Sequence, residues 1–121
     1  MIYSGQEARL NKRLKFFEKD TIDWGTFSDE EFYKKLVYLR KMHPVFWSNN
    51  TNLEFLDGYT EGVLGYKRWD DENTYHIILN LSNEREKLNE KISHEILIRD
   101  KKSSEQFISP NGFVVYKILN E

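Results

Sequence analysis

The hydrophobic pattern changes period once along this chain, near residues 49–52, and the change divides it into two readings. Before that point Phe32, Leu36 and Leu39 recur at helical spacing, with Tyr33, Val37 and Met42 beside them. Lys34, Lys35, Arg40 and Lys41 fill the remaining faces, with the positive charge biased toward the C-terminal end, where the helix dipole favours it. Ser28-Asp29-Glu30-Glu31 reads as a capping box, and Pro44 stops the run. The spacing predicts a helix over residues 29–42. Upstream, Met1-Ile2-Tyr3-Ser4 reads as a short apolar strand or a frayed terminus. Residues 8–27 read as an extended loop attached through Phe16, Phe17, Trp24 and Phe27.

After residue 52 the period falls to two, the signature of half-buried strands. Tyr75, Ile77, Leu79 and Leu81 alternate with Thr74, His76, Ile78 and Asn80, predicting a strand with its apolar face on the first set. Ile92, His94, Ile96 and Ile98 predict a second strand, residues 62–69 a third and residues 112–118 the last. Leu53–Leu56 and Gln106–Ile108 are shorter candidates, while Glu84-Arg85-Glu86-Lys87 reads as a solvated charge run. Asp70-Asp71-Glu72-Asn73 and Ser109-Pro110-Asn111-Gly112 carry turn chemistry. Several short strands at this spacing point to an antiparallel sandwich of about six to eight strands.

Composition narrows the function classes. Lys plus Arg number 18 against 20 Asp plus Glu, a net charge of -2, so no basic excess exists to meet phosphate, and nucleic acid is not expected as a partner. Cysteine is absent, which removes disulfides, thiolate nucleophiles and the common zinc ligand sets. His43, His76 and His94 lack ligand spacing, although His76 and His94 could face one another across neighbouring strands. No metal and no cofactor are expected. No apolar run is long enough to span a bilayer and residues 1–20 do not read as a signal peptide, so no membrane partner is expected; the location is the cytoplasm by default, or an export signal lies outside this chain. Asn49-Asn50-Thr51 and Asn80-Leu81-Ser82 fit the N-glycosylation pattern, which arises often by chance.

The order strand, loop, helix and then an all-β module resembles the end of an α-amylase-family glycoside hydrolase. Met1-Ile2-Tyr3-Ser4-Gly5-Gln6-Glu7 resembles the eighth strand of that family's (β/α)8 barrel, and Arg13-Leu14-Lys15-Phe16-Phe17-Glu18-Lys19-Asp20 with Ile22-Asp23-Trp24 resembles the loop after it. Phe32-Tyr33-Lys34-Lys35-Leu36 through Leu39-Arg40-Lys41-Met42-His43-Pro44 resembles the eighth helix. Glu61–Arg68 and Ser109–Tyr116 resemble the first long and the closing strands of the C-terminal sandwich, whereas residues 83–106 match only in kind. The resemblance implies residues 1–48 as the last unit of a barrel and 49–121 as a β-sandwich domain. It places Gln6, Glu7 and Arg13 as substrate-lining residues that position rather than react.

The family's aspartate nucleophile, glutamate acid/base and second aspartate would all lie before Met1, and the retaining mechanism needs a carboxylate pair held about 5–5.5 Å apart. In this reading Met1 is an internal residue of a longer parent, catalytic residues are none, and the chain alone is no enzyme. Three classes follow: a non-catalytic portion of an α-glucan-acting hydrolase, a stand-alone carbohydrate-binding module, or an enzyme in its own right. Trp69, beside Asp70 and Asp71, and Tyr66 are candidates for stacking on a sugar ring, with α-glucan or malto-oligosaccharide as a weak ligand. The apolar stripe over residues 32–42, without a barrel to cover it, leads us to expect a homodimer or association through that surface.

Overall fold

A computed structural model describes residues 2–88 and 94–119. The chain forms two compact units, Met1–Leu39 and Arg40–Glu121, and helix α1 (Glu30–Met42) runs across the junction.

In the first unit the expected strand at residues 2–4 is absent, because its backbone groups are used locally. The Tyr3 carbonyl accepts from the Gln6 N–H at 3.1 Å, and the Tyr3 N–H donates to Gln6 Oε1 at 2.7 Å. Gly5, at φ 92°, then turns the chain into a 3-10 turn, Gln6–Ala8. The loop that follows is pinned by Asp20, whose carboxylate accepts from Lys12 Nζ at 2.9 Å and from the N–H groups of Lys15 at 3.1 Å and Thr21 at 2.8 Å. Trp24 and Phe27 stack at 5.7 Å, but Phe16 and Phe17 anchor nothing: they touch edge-to-face and are 88% and 93% exposed.

Helix α1 begins one residue later than expected. Its first carbonyl acceptor is Asp29, bonded by the Tyr33 N–H, so Asp29 occupies the cap position and not Ser28. Its carboxylate takes Arg9 Nε at 2.7 Å, and the Glu30 and Glu31 carboxylates turn to Lys34 at 2.9 and 3.6 Å instead of reaching back.

The second unit is an all-antiparallel β structure. Strands β1 (Asn52–Phe55), β2 (Val63–Trp69), β3 (Thr74–Asn80), β5 (His94–Arg99) and β7 (Phe113–Ile118) form one sheet in the order β1-β2-β3-β7-β5. Strands β4 (Glu86–Lys87) and β6 (Phe107–Ile108) form a two-stranded ribbon. The sandwich is therefore unequal: the ribbon's Leu88 and Ile108 pack with Ile78, Val114 and Tyr116 of the large sheet. The opposite face carries Tyr75, Ile77, Val115 and Ile98, all buried, and a 3-10 turn at Pro44–Phe46 brings Val45 to zero exposure and Phe46 to 5.3 Å from the Tyr75 ring.

Three expectations are corrected here. The main core lies on the Ile78–Asn80 side of β3, not on the Tyr75–Leu81 side, and Leu81 is 68% exposed; a central strand covered on both faces does not keep a simple alternation. In β5 a bulge between Ile96 and Ile98 inserts one residue, so Ile96 faces Tyr116 while Ile98 joins Val115 on the other side. The charge run contains strand β4, and Glu86 is buried. Ile92 of the expected second strand lies outside the described residues.

Two turns form as read. Asp70 Oδ1 accepts from the N–H groups of Glu72 and Asn73, closing the β2–β3 hairpin. Between Ser109 and Gly112 the proline supplies the second position and Asn111, at φ 54°, the left-handed third, as a type II turn requires.

Candidate functional site

Strand β2 carries both aromatic residues read as sugar-stacking candidates, and the pleat separates them. Trp69 is paired with Asn52 and Thr74 and shares a face with Lys67, whose ammonium sits 5.0 Å from the centre of its ring. Lys67 is also 3.0 Å from the Glu54 carboxylate. Tyr66 points to the opposite face of the sheet, where it lies across from Phe55 and Ile77. One ligand cannot stack on both rings from one side. Trp69 with Lys67 and Glu54 is the arrangement that offers an aromatic face beside polar groups.

Gln6, Glu7 and Arg13 belong to the first unit. Gln6 is spent on the Tyr3 N–H, and Arg13 is exposed. The Glu7 carbonyl accepts from the Asp29 N–H at 3.1 Å, whereas its Oε2 is buried without a hydrogen-bond partner among the described residues.

One polar cluster of the second unit was not marked by any motif in the sequence. On the core face, His76 Nδ1 lies 3.1 Å from the Tyr116 hydroxyl, and Tyr59 packs against the core cluster to which Tyr116 belongs. The His94 ring sits 4.8 Å from that of Tyr116, and β7 stands between the strands of the two histidines, so they do not face one another on adjacent strands. Burial and the nearby Lys67 and His94 hold the His76 imidazole below its usual value, and burial pushes the Tyr116 phenol well up. Next to Tyr59, the Thr60 hydroxyl donates to the buried Glu86 carboxylate at 2.5 Å. Gly65 makes room for this arrangement, since a Cβ there would meet the Tyr59 ring at 2.6 Å. Tyr116 falls on the expected apolar alternation of β7, but the approach of Tyr59 from a loop has no local signal.

A second cluster is built on Asp100. Its carboxylate accepts from the N–H groups of Lys102, Ser103 and Phe113 and from the hydroxyls of Ser103 and Ser109. Burial alone would raise this carboxyl, and the Ser103 hydroxyl with the surrounding N–H donors overcomes it, so the group is held below the ordinary carboxylate range. A Cβ at Gly112 would come within 2.6 Å of Asp100 Oδ1, which explains the glycine. With every donor supplied by the protein itself, this carboxylate is a structural clasp. Among the described residues no group of three or more His, Asp or Glu side chains is placed to hold a metal ion.

No protein-family model matches the sequence, and no curated protein matches it. Solved structures do match in fold. The trehalulose synthase MutB in complex with glucose aligns with a TM-score of 0.63 and 22% identity, over 76% of this chain and 18% of its own. The isomaltulose synthase of Erwinia rhapontici, in complex with its natural substrate sucrose, aligns with a TM-score of 0.61 and 18% identity, over 78% and 18%. The isomaltulose synthase of a Klebsiella species gives 0.60 and 20%, over 77% and 18%. The chain thus spans less than a fifth of the length of the solved chains it matches. Its mainly antiparallel β architecture is the fold of a part of these α-amylase-family enzymes, in agreement with the resemblance carried by residues 2–44, 61–68 and 109–116.

Proposed function

We propose that this chain is the non-catalytic C-terminal portion of an α-glucan-acting glycoside hydrolase, of α-amylase or α-glucosidase type, and that it stabilises the enzyme's barrel. The observation that carries this reading is the fold likeness to enzymes more than five times its matched length, joined to the order of the sequence resemblance. Residues 1–48 are in this reading the last barrel unit and 49–121 the sandwich. Gln6, Glu7 and Arg13 line substrate only when the barrel is complete. The uncovered side chains of Phe16, Phe17, Val37 and Tyr38 support association through the barrel-facing surface.

The arrangement of Trp69, Lys67 and Glu54 supports a second element, weak contact with malto-oligosaccharide, and it alone would suit a stand-alone carbohydrate-binding module. The test uses the purified 121-residue chain. Reducing-sugar release from starch is expected to equal that of buffer, and release above it overturns the non-catalytic reading. Titration with maltoheptaose to millimolar concentration is expected to change tryptophan emission in the native chain and not in Trp69→Ala. No change in the native chain removes carbohydrate contact from the proposal and leaves the barrel-stabilising role.

A further inference from the structure

The turn that leads into β7 is built on the chain's one asparagine-glycine pair, Asn111-Gly112. Two constraints put those residues there. Asn111 lies in the left-handed region at φ 54°, which asparagine and glycine tolerate and most side chains do not. Gly112 is buried, and a Cβ on it would come within 2.5 Å of Ser109 Oγ, 2.6 Å of Asp100 Oδ1 and 2.8 Å of the Ser109 carbonyl. The turn therefore requires a pair of low chemical durability. Asparagine is thermolabile, and a following glycine, lacking a side chain, leaves its own peptide nitrogen open to the asparagine amide.

The reaction needs only water. The Gly112 nitrogen gives its proton to hydroxide and attacks Asn111 Cγ; the bond from Cγ to the side-chain nitrogen breaks, ammonia leaves and a succinimide ring closes. Water then opens that ring at one of its carbonyls. One product is aspartate with an ordinary backbone, the other isoaspartate, whose main chain runs through Cβ and is longer by that atom. Asn111 is exposed, so water and hydroxide reach it. The Gly112 N–H, however, is the donor that closes the turn, to the Ser109 carbonyl at 2.9 Å, so the nitrogen that would react is engaged. The turn is also fixed from both sides. Asp100 accepts from the Ser109 hydroxyl and the Phe113 N–H, each at 3.0 Å, and from the Ser103 hydroxyl. The Gly112 carbonyl accepts from the Asn80 N–H at 2.9 Å.

We propose that Asn111 is a site of spontaneous isoaspartate formation gated by the Asp100 clasp: the reaction proceeds from the opened turn, and the isoaspartyl product does not let the turn reclose. Opening gives up the Gly112 bond to Ser109 and the bonds that Ser109 and Phe113 make to Asp100, so the rate follows the population of the opened turn. After the reaction the extra main-chain atom falls between residues 111 and 112, where Ser109 and Asp100 already fill the space around Gly112. It displaces the Phe113 N–H from Asp100 and the Gly112 carbonyl from the Asn80 N–H, loosening the join between β3 and β7 at its Asn80 end. The aspartyl product keeps the ordinary backbone and tolerates the left-handed conformation, so it leaves the turn intact. The proposal holds whichever function the chain serves.

Incubation of the full chain in mildly alkaline buffer tests this, with peptides mapped by mass spectrometry and isoaspartate separated from aspartate by chromatography. Asn111 is expected to react before every other asparagine; a faster reaction elsewhere, or none at Asn111, overturns the site. The folded chain should react at least about tenfold more slowly than the same chain in urea, because opening the turn breaks several bonds, each worth about a fivefold change in the equilibrium. Equal rates overturn the gate. Asp100→Asn should speed the reaction in the folded chain about tenfold, and an unchanged rate also overturns the gate. Should Asp100→Asn fail to fold, Ser103→Ala replaces it with the same reading, its lost hydroxyl speeding the reaction about fivefold. The purified isoaspartyl chain should unfold at lower urea than Asn111→Asp, and equal midpoints overturn the claim that the product keeps the turn open.

Discussion

Asn80, at the end of β3, is completely buried and uses its whole amide. Its Nδ2 donates to the carbonyls of Glu84 at 2.7 Å, Ile108 at 3.3 Å and Ser109 at 3.1 Å, while Oδ1 accepts from the Ser82 N–H at 3.0 Å and the Ser82 hydroxyl at 2.7 Å. One side chain therefore ties the centre of the large sheet to the approach to β4 and to the end of β6. Asn80→Ala leaves the Ile108 and Ser109 carbonyls facing a dry gap. Each buried polar group deprived of its partner costs about 1–3 kcal/mol, and the lost bond to Ser82 adds about 1 kcal/mol. The expected loss is about 4 kcal/mol, a large share of the roughly 5–15 kcal/mol that domains possess. Urea unfolding followed by far-ultraviolet circular dichroism measures it, and with a slope of about 2 kcal/mol per molar the midpoint should fall by about 2 M. Asn80→Asp, nearly the same shape but with acceptors in place of the donor, should be at least as damaging at pH 7. The control, exposed Asn49→Ala, should stay within about 0.5 kcal/mol. An Asn80→Ala loss below about 1 kcal/mol would refute the view that this amide joins sheet to ribbon.

Asp100, whose folded-state pKa is lowered, contributes stability that is present above the unfolded value of about 3.9 and is lost as pH falls through the folded value. Asp100→Asn replaces one of the two acceptor oxygens by a donor, which then faces either the Lys102 and Ser103 N–H groups or that of Phe113. It should cost about 2–4 kcal/mol at pH 7 by urea unfolding and flatten the decline of stability below pH 4, and an unchanged acid slope would count against the clasp. Sedimentation equilibrium of the isolated chain should give a dimer or a larger species, since Phe16 and Phe17 are almost wholly exposed; a monomer at tens of micromolar would count against self-association through that surface.

The helix was legible because it is a local object. Its stripe, its charge bias and the stop at Pro44 all lie within one stretch of chain, and only the cap moved, when Asp29 took the position that Ser28-Asp29-Glu30-Glu31 had suggested for Ser28. The long strands were legible for the same reason, as were both turns, whose Asp70, Pro110 and Asn111 act on their immediate neighbours.

Tertiary structure alone decided which face of β3 is the inner one, because burial there comes from Val114, Leu88 and Ile108, far away in sequence. It also decided that Trp69 and Tyr66 lie on opposite faces, that a bulge splits Ile96 from Ile98, and that Glu86 is a buried ribbon residue within a charged run. The polar clusters were the least legible. An Asn, an Asp or a Tyr looks the same in sequence whether it faces water or is buried, and only the partners brought by the fold, Ile108 and Ser109 to Asn80, Phe113 to Asp100 and His76 to Tyr116, made these residues structural. The sequence by itself determined the helix, the long strands and their order, and the likeness to the end of an α-amylase-family chain, because propensity, period and turn chemistry act over a few residues; it misplaced a strand at residues 2–4 and missed β4. Which faces meet, and which polar groups are paired in the dark, depended on contacts between distant segments that no local pattern encodes.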